Sequence, residues 1–193
     1  MSKPTISKLK KENSLLLMID YQEKLFPLVF NYRTVQHKAE QMIKFAQLVK
    51  MPIVVTEQYP QGLGGTVQPL ASLLQKSGNY NPYPKKYFNC FKDEKIKEII
   101  KRSRKRNLII CGIETHICVL QTALSAVEEG FNSFLLVDAV SSRNKVDNEF
   151  GLMQAESAGV ILTTVETVIY QMVEHSNFSH FKEVIKIVTS KMR

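Results

Sequence analysis

The stretch Cys111-Gly-Ile-Glu-Thr-His-Ile-Cys118 is the point around which the rest of the chain is organised. The short apolar run Asn107-Leu-Ile-Ile110 leads into it and is typical of a buried strand. Apolar residues then recur at helical spacing, at Ile117, Leu120, Leu124 and Val127. We therefore predict a buried strand that turns sharply at Gly112 and runs into a helix.

The thiol of Cys118 falls in the first turn of this predicted helix if Thr115 is the N-cap. Unpaired N–H groups and the helix dipole favour negative charge there, so the thiol should ionise more easily than an ordinary cysteine. Most free cysteines are instead buried as small apolar residues. The local sequence leaves both interpretations of Cys118 open.

Length and cysteine content bound the class of protein. The chain has 193 residues, enough for a single domain spanning 1–193 with a substantial core. Three cysteines, an odd number, and no apolar signal or membrane-spanning run predict a soluble protein without disulfides in a reducing compartment. We expect a cytoplasmic location, with a short mitochondrial presequence as the alternative, and a flexible basic arm over residues 1–12.

The formal net charge of +8 is unevenly distributed along the chain. Between Lys92 and Arg106, eight Lys or Arg residues stand against three acids. Such a cluster is either a solvated helix face or a nucleic-acid site. No aromatic residues are interleaved with these charges, which favours the solvated face.

Asp20 directly follows the apolar run Leu15-Leu-Leu-Met-Ile19. A run without polar alternation suits a strand that is buried on both faces of a parallel sheet. Open α/β sheets build their sites at the carboxyl ends of such strands. Asp20 is therefore a candidate functional acid, with a helix cap or a turn residue as the alternative.

A second strand brings a long loop to the same edge of the sheet. Helical spacing over Thr34–Val49 and a strand over Pro52–Val55 complete a βαβ unit. The loop over 56–65 is rich in glycine and proline, and its glycines match no phosphate-binding spacing. Its first residues are candidates for substrate binding: Glu57, Gln58 and Tyr59.

Two aromatic-rich segments add further candidates. The segment 21–32 contains Phe26 and is expected to cover the site. The stretch Lys85-Lys-Tyr-Phe-Asn-Cys-Phe91 places two lysines before an aromatic cluster that includes Phe88. A desolvated ammonium near a thiol would lower the pKa of that thiol. Two solvated lysines at a strand edge are the alternative.

The rest of the chain continues the alternation of strands and helices. We assign helices to Val67–Gln75, Asp93–Arg104, Val146–Ala158, Val165–Val173 and Phe178–Val188, and strands to Phe134–Val137, which ends at Asp138, and Val160–Thr163. Six strands alternating with helices predict a three-layer α/β/α, doubly wound, mainly parallel six-stranded sheet. The four histidines lie on different elements without metal-ligand spacing, so neither a metal nor another cofactor is expected.

Five stretches together resemble the isochorismatase-like cysteine hydrolase superfamily, in the family's order and over residues 13–188. They are Leu-Met-Ile-Asp-Tyr-Gln (17–22), Lys-Lys-Tyr-Phe-Asn-Cys-Phe (85–91), Gly-Ile-Glu-Thr-His-Ile-Cys-Val (112–119), Asp-Ala-Val-Ser-Ser-Arg (138–143) and Ala-Gly-Val-Ile-Leu-Thr-Thr-Val-Glu (158–166). The loop Thr-Glu-Gln-Tyr-Pro-Gln-Gly-Leu-Gly (56–64) is most similar to the isochorismatase domain-containing proteins.

The resemblance implies a catalytic triad of Asp20, Lys85 and Cys118. Lys85 stands three residues before an aromatic residue of a family motif, and because Asn89 replaces the usual serine there, Lys86 is the second choice. The resemblance also implies a cis peptide before Glu114, which would aim the backbone N–H groups of Glu114 and Cys118 at one point as an oxyanion hole.

Such a triad suits hydrolysis of a C–N bond in a small amide. Cys118 would attack the carbonyl carbon, Lys85 would favour the thiolate, and Asp20 would carry the thiol proton to the leaving amine, leaving a thioester for water to hydrolyse. Isochorismatases proper cleave a vinyl ether without needing that cysteine, so Cys118 favours amide hydrolysis over that reaction. Nicotinamidases of the superfamily bind a metal through an acid and histidines after the second strand. Residues 56–59 contain no histidine, which argues against such a metal and against nicotinamide as the substrate.

Two other functions stay open: an RNA-binding or ribonuclease-like protein that uses the basic cluster, and a scaffold that has lost its activity. Relatives commonly form homo-oligomers. We expect one here, with apolar residues of Val165–Val173 and Phe178–Val188 available to a partner copy. The expected ligand is a small molecule, and no membrane contact is expected.

Overall fold

The sheet that the sequence predicts is present in a computed structural model, which describes residues 9–76, 78 and 80–192. Within those residues, six strands form one sheet in the order β3-β2-β1-β4-β5-β6, and every neighbouring pair is parallel. The strands are β1 (Ser14–Ile19), β2 (Ile53–Gln58), β3 (Tyr83–Lys85), β4 (Asn107–Ile113), β5 (Asn132–Ser141) and β6 (Ile161–Thr163). The predicted three-layer α/β/α fold is confirmed.

Helices cover both faces of this sheet. They are α1 (Tyr32–Leu48), α2 (Pro60–Leu63), α3 (Gln68–Lys76), α4 (Glu94–Arg102), α5 (Leu120–Glu128), α6 (Lys145–Ser157), α7 (Val165–Val173) and α8 (Phe181–Val188). Leu16 and Met18 of β1 pack on the side of α1, α3, α7 and α8, whereas Leu15 and Leu17 pack towards α4, α5 and α6. Every residue of β1 is buried, which explains its unbroken apolar run.

The chain order places a crevice between β1 and β4. From β1 the chain moves outward through β2 to β3 and then crosses back to β4 on the other side of β1. Ligands of open α/β sheets bind at such a switch in strand order, outside the carboxyl ends of the strands. Asp20 follows β1, and the turn that carries Cys118 follows β4, so both flank this crevice.

Gly112 is required by the close approach of β4 to β1. It pairs in register with Ile19, and its φ of +141° is a backbone conformation that residues with a Cβ rarely adopt. A Cβ at this position would lie 2.2 Å from the Ile19 carbonyl oxygen, which is backbone and cannot rotate away.

We expect Gly112→Ala to lower the free energy of unfolding by about 3 kcal/mol, because it combines overpacking with an unfavourable φ. Gly65→Ala is the control, since its nearest new contact would be the Tyr80 hydroxyl oxygen at 3.6 Å and its φ is ordinary. That variant should change stability by less than about 1 kcal/mol. Urea unfolding measures both, and equal losses would contradict the assignment.

Several element boundaries differ from the sequence prediction. Strand β2 continues to Gln58, so Glu57 and Gln58 lie on a strand and not in the loop. Tyr83 and Pro84, assigned to a connector, belong to β3, where an edge position tolerates proline. The last helix begins at Phe181 and not at Phe178.

Asp138 does not end its strand, contrary to the prediction. Strand β5 runs through it to Ser141. Its carboxylate accepts a hydrogen bond of 2.9 Å from the backbone N–H of Val165 and lies 3.8 Å from the Lys38 ammonium. Asp138 therefore ties the start of α7 and the helix α1 to the sheet.

The two ends of the chain differ in part from expectation. Residues 1–8 of the expected basic arm lie outside the described residues. Leu9 is buried in the core, so residues 9–12 are not part of a loose arm. Most apolar residues of α7, and Val184 of α8, are buried within the same chain. Tyr170 of α7 and Ile185 of α8 stay 39% and 36% exposed, so the apolar surface that these helices offer is smaller than expected. No helix in the described part of the chain is long and apolar enough to cross a bilayer.

Candidate active site

Three side chains named from the sequence lie together at the crevice between β1 and β4. Asp20 follows the end of β1, Lys85 is the last residue of β3, and Cys118 lies on a π-helical turn (Thr115–Val119) after β4. The Lys85 Nζ is 2.6 Å from Asp20 Oδ2, and both side chains are completely buried. Cys118 is 5% exposed, and the charges of Asp20 and Lys85 both act on its thiol.

The backbone fixes the direction of the Asp20 carboxylate. Asp20 has a φ of +55°, in the left-handed region that few residues other than glycine adopt. Its N–H donates to the Thr56 carbonyl at 3.1 Å, and the Thr56 hydroxyl donates to Oδ1 at 2.9 Å. Strand β2 therefore holds the carboxylate at both the main chain and the side chain.

Lys85 is enclosed by oxygen atoms. Besides Asp20, its Nζ donates to Gln58 Oε1 at 2.7 Å and to the carbonyls of Tyr87 and Phe88 at 3.3 Å. The neighbouring Lys86 is exposed, and its carbonyl accepts a hydrogen bond from Gln58 Nε2 at 2.9 Å. The structure thus places Lys85, and not Lys86, against the Asp20 carboxylate.

The ionisation of the site differs from the sequence prediction. Burial raises the pKa of the Cys118 thiol, and the negative charge of Asp20 raises it further, while Lys85 opposes both. The expectation that the helix N-terminus and Lys85 make this thiol easy to ionise is therefore wrong. The raised pKa favours the neutral thiol over the thiolate in the free protein.

Asp20 and Lys85, both buried, also shift each other's pKa. Burial raises the pKa of the Asp20 carboxyl, although the charge of Lys85 opposes the shift. Burial is the largest single effect on Lys85 and disfavours its charge, but the Asp20 carboxylate and the neighbouring Cys118 and Cys90 together raise the pKa of the ammonium. An Asp20 with a raised pKa is a stronger base than a surface carboxylate, which suits proton transfer to and from a thiol.

Glu114 holds the turn before Cys118 through both its backbone carbonyl and its side-chain carboxylate. The peptide bond between Ile113 and Glu114 is cis. The Glu114 carbonyl accepts the N–H of Val119 at 3.3 Å, five residues on, as in a π-helix. Its buried carboxylate accepts the backbone N–H of Arg143 at 2.8 Å and the Arg143 Nε at 3.2 Å. Glu114 therefore fastens this turn to the segment after β5.

Thr115 does not act as the N-cap that the sequence suggested. Its hydroxyl donates to Asn148 Oδ1 of α6 at 2.7 Å, and no side chain caps the turn. The hydrogen bond ties the turn to a neighbouring helix and leaves its first N–H groups uncapped. Sequence spacing could not reveal this, because Asn148 is 33 residues away.

The predicted substrate-binding residues fall into two groups. Tyr59 and Phe88 are 59% and 51% exposed. Tyr59 directly follows Gln58, and the Phe88 carbonyl accepts a hydrogen bond from Lys85. Phe26 is buried in the core, where its ring packs edge-on against Tyr21. Glu57 is buried, and its Oε1 accepts the N–H and hydroxyl of Thr66, each at 2.8 Å, so it holds the loop after α2.

Sequence reasoning missed a buried glutamine that supports the site. Gln22 Nε2 donates to the carbonyls of Gln58 (2.9 Å) and Gly64 (2.7 Å), and its Oε1 accepts the Gln58 N–H at 2.7 Å. These bonds fix the end of β2, whose Gln58 side chain in turn holds Lys85. The available signal was a glutamine two residues after Asp20, next to a buried strand.

No group of three or more His, Cys, Asp or Glu side chains among the described residues is arranged to hold a metal ion. Cys90 and Cys111 are free thiols, as Cys118 is, and both are fully buried. Burial raises the pKa of Cys90 to about 11 and that of Cys111 to about 12. The crevice brings together the thiol of Cys118, the carboxylate of Asp20 and the ammonium of Lys85.

Comparison with known proteins gives the family. An isochorismatase domain model matches residues 14–167. Isochorismatase domain-containing protein 2 of Bos taurus is 35% identical over 187 residues, which cover 97% of this chain and 88% of that protein. The structure of the MAR1 ribonuclease from Caenorhabditis elegans is 35% identical, with a TM-score of 0.86 over 97% of this chain and 95% of that one. YcaC from Pseudomonas aeruginosa, solved with hexane-2,5-diol and covalent acrylamide, is 25% identical, with a TM-score of 0.85 over 95% of this chain and 92% of that one. The chain therefore belongs to the isochorismatase family of hydrolases.

Proposed function

We propose that this protein hydrolyses the C–N bond of a small amide, with Cys118 as nucleophile, Asp20 as proton carrier and Lys85 as the positive charge that holds Asp20. The observation that carries the proposal is the buried contact of 2.6 Å between Asp20 and Lys85, next to a buried thiol at the switch in strand order. Two buried charges and a thiol have no evident packing role, and perturbed groups of this kind concentrate at functional sites.

The reaction begins from a neutral thiol. As the Cys118 sulfur attacks the carbonyl carbon of the bound amide, Asp20 takes the thiol proton and the carbonyl electron pair moves to oxygen. The backbone N–H groups of Glu114 and Cys118 would receive this oxyanion. Asp20 then gives the proton to the leaving nitrogen, the C–N bond breaks, and a thioester remains on Cys118.

The second half of the reaction releases the acid. Asp20 takes a proton from a water molecule as the water oxygen attacks the thioester carbon, and sulfur leaves with the electron pair of the C–S bond. The proton then returns from Asp20 to sulfur, which restores the starting state. Between these proton transfers Lys85 keeps its proton, because the Asp20 carboxylate raises the pKa of its ammonium.

The surroundings of the triad limit the substrate. Asp20, Lys85 and Cys118 are all nearly inaccessible, so the group that reaches them must be small. Tyr59 and Phe88 are the proposed wall against which the substrate packs, while Gln58 is already engaged with Lys85. A reducing compartment such as the cytoplasm would keep this thiol active.

A panel of small primary amides, ureides and hydroxamates tests the proposal. Wild type should release ammonia or hydroxylamine from at least one of these classes, and Cys118→Ala serves as the blank. Hydrolysis that is equally fast in the blank would rule out the cysteine mechanism. No hydrolysis of any class, in folded wild type, would favour the scaffold that has lost its activity.

The two neighbouring lysines are separated by the same turnover assay. Lys85→Met removes the charge that lies 2.6 Å from Asp20 and should reduce turnover about 10²-fold or more. Lys86→Met removes an equal charge one residue away, from an exposed side chain, and should leave turnover within a few fold of wild type. The opposite ranking would mean that the buried lysine serves only the fold.

A ribonuclease is the second candidate, because the C. elegans relative is named as one. The basic cluster between Lys92 and Arg106 gives the ribonuclease function only limited support. Lys97 and Lys101 each lie 2.7 Å from Glu129, and Arg102 lies 2.6 Å from Glu98, so two acids offset part of the charge of these three residues. RNA added to the same panel distinguishes the two, and cleavage that persists in Cys118→Ala and weakens steeply with salt would favour the ribonuclease.

A further inference from the structure

Helix α6 carries an apolar stripe that faces solvent. Val146, Phe150 and Met153 are 61%, 57% and 58% exposed, and their spacing places them on one side of the helix. The opposite side of α6 is buried through Gly151 and Ala155. The helix is therefore apolar on both sides, although its own chain covers only one of them.

Charged residues beside the stripe differ in sign between the two ends of α6. Lys145 begins the helix, whereas Glu149 and Glu156 stand in its middle and last turn, on the same flank of the stripe. Lys145 lies 3.5 Å from Glu149, but both side chains are more than half exposed, so this contact contributes little. The flank is positive at its start and negative at its end.

This polarity makes the surface complementary to itself. If a second α6 lies antiparallel across a two-fold axis, Lys145 approaches the partner's Glu156, and the reverse contact forms at the other end. Phe150 then lies near the axis, and Val146 approaches the partner's Met153. A parallel two-fold pairing would place the two charged flanks on opposite sides of the interface, so neither Lys145–Glu156 contact could form. The antiparallel pairing also brings Glu149 of the two copies near each other, but this side chain is more than half exposed, so the repulsion is weak.

We propose that α6 packs antiparallel against α6 of a second copy of this chain, through Val146, Phe150 and Met153 and the two Lys145–Glu156 contacts. This proposed interface does not depend on the proposed reaction. Its effect on catalysis rests on that reaction, because Asn148 of α6 accepts the Thr115 hydroxyl and Gly151 packs against His116, both in the turn that carries Cys118. The partner copy thereby supports the turn from behind.

Charge reversal tests the pairing and its direction. Lys145→Glu and Glu156→Lys should each weaken association at least tenfold, since each places like charges at both ends of the interface. An equimolar mixture of the two variants should recover the wild-type assembly, because opposite charges then meet again at both ends of the mixed pair. Analytical ultracentrifugation of wild type, each variant and the mixture measures this.

Lys182→Glu and Glu183→Lys make the same charge changes on the exposed side of α8 and should leave the assembly unchanged. Phe150→Asp should weaken association whether or not it is mixed with another variant. A wild type that stays monomeric at all concentrations would overturn the proposal, and would mean that a different partner covers the stripe. Variants that assemble like wild type, or a mixture that fails to recover, would overturn it as well.

Discussion

Replacing Cys118 by alanine is expected to reduce amide hydrolysis by about 10³-fold or more, because the reaction loses its nucleophile and the acyl-enzyme cannot form. Cys118→Ser should fall nearly as far, since a hydroxyl is a weaker acid than a thiol and Asp20 would have to remove a much more tightly held proton. Steady-state rates on the amide identified by the panel measure both variants.

Cys90→Ala is the matched control for this loss. Cys90 is also buried, and the charges of Lys85 and Asp20 also act on its thiol, but it lies on the short turn Cys90–Lys92 and not on the turn that follows the cis peptide. Its turnover per folded molecule should stay within about threefold of wild type. If Cys90→Ala loses as much activity as Cys118→Ala, Cys118 has been assigned the wrong role.

Asp20→Asn is expected to have opposite effects on turnover and on the reactivity of the thiol. Turnover should fall by about 10²- to 10⁴-fold, because the group that carries the proton is gone. Alkylation of Cys118 by a neutral reagent such as iodoacetamide should become faster, because the Asp20 charge is one cause of the raised thiol pKa. Asparagine tolerates the left-handed backbone at this position, but it leaves the buried Lys85 ammonium without its counter-charge. Circular dichroism therefore checks the folded fraction of this variant before the rates are compared.

The pH dependence of alkylation gives the sign of this effect. In wild type the raised pKa of Cys118 should make the rate climb through the alkaline range without a plateau near neutrality. In Asp20→Asn the same rise should occur at lower pH. Slower alkylation in Asp20→Asn, or a wild-type plateau near pH 7, would show that the carboxylate does not act on the thiol.

The sequence was most informative where a pattern is local. The unbroken apolar run of β1 predicted a strand covered on both faces, and the acid after it predicted a position at the carboxyl edge. The same argument misjudged Asp138, because β5 continues past it to Ser141. Strand ends depend on pairing with neighbouring strands, which a single segment does not encode.

Features that depend on distant contacts could not be predicted. The raised pKa of Cys118 follows from burial and from Asp20, almost a hundred residues earlier in the chain. Gln22 supports Lys85 only through Gln58, and the sequence alone does not show that link. The exposed stripe of α6 also fits the pattern of an ordinary amphipathic helix, because periodicity cannot tell which apolar side the chain covers.

In the proposed reaction Cys118 carries the acyl group of the substrate during turnover. The most direct test is a rapid acid quench of wild type mixed with excess amide, followed by the mass of the peptide that contains Cys118. We predict an increase equal to the acyl group, on Cys118 alone, that appears and decays within the time of turnover. Complete turnover with this peptide unmodified at every time point, or with the acyl group on another residue, would contradict the claim.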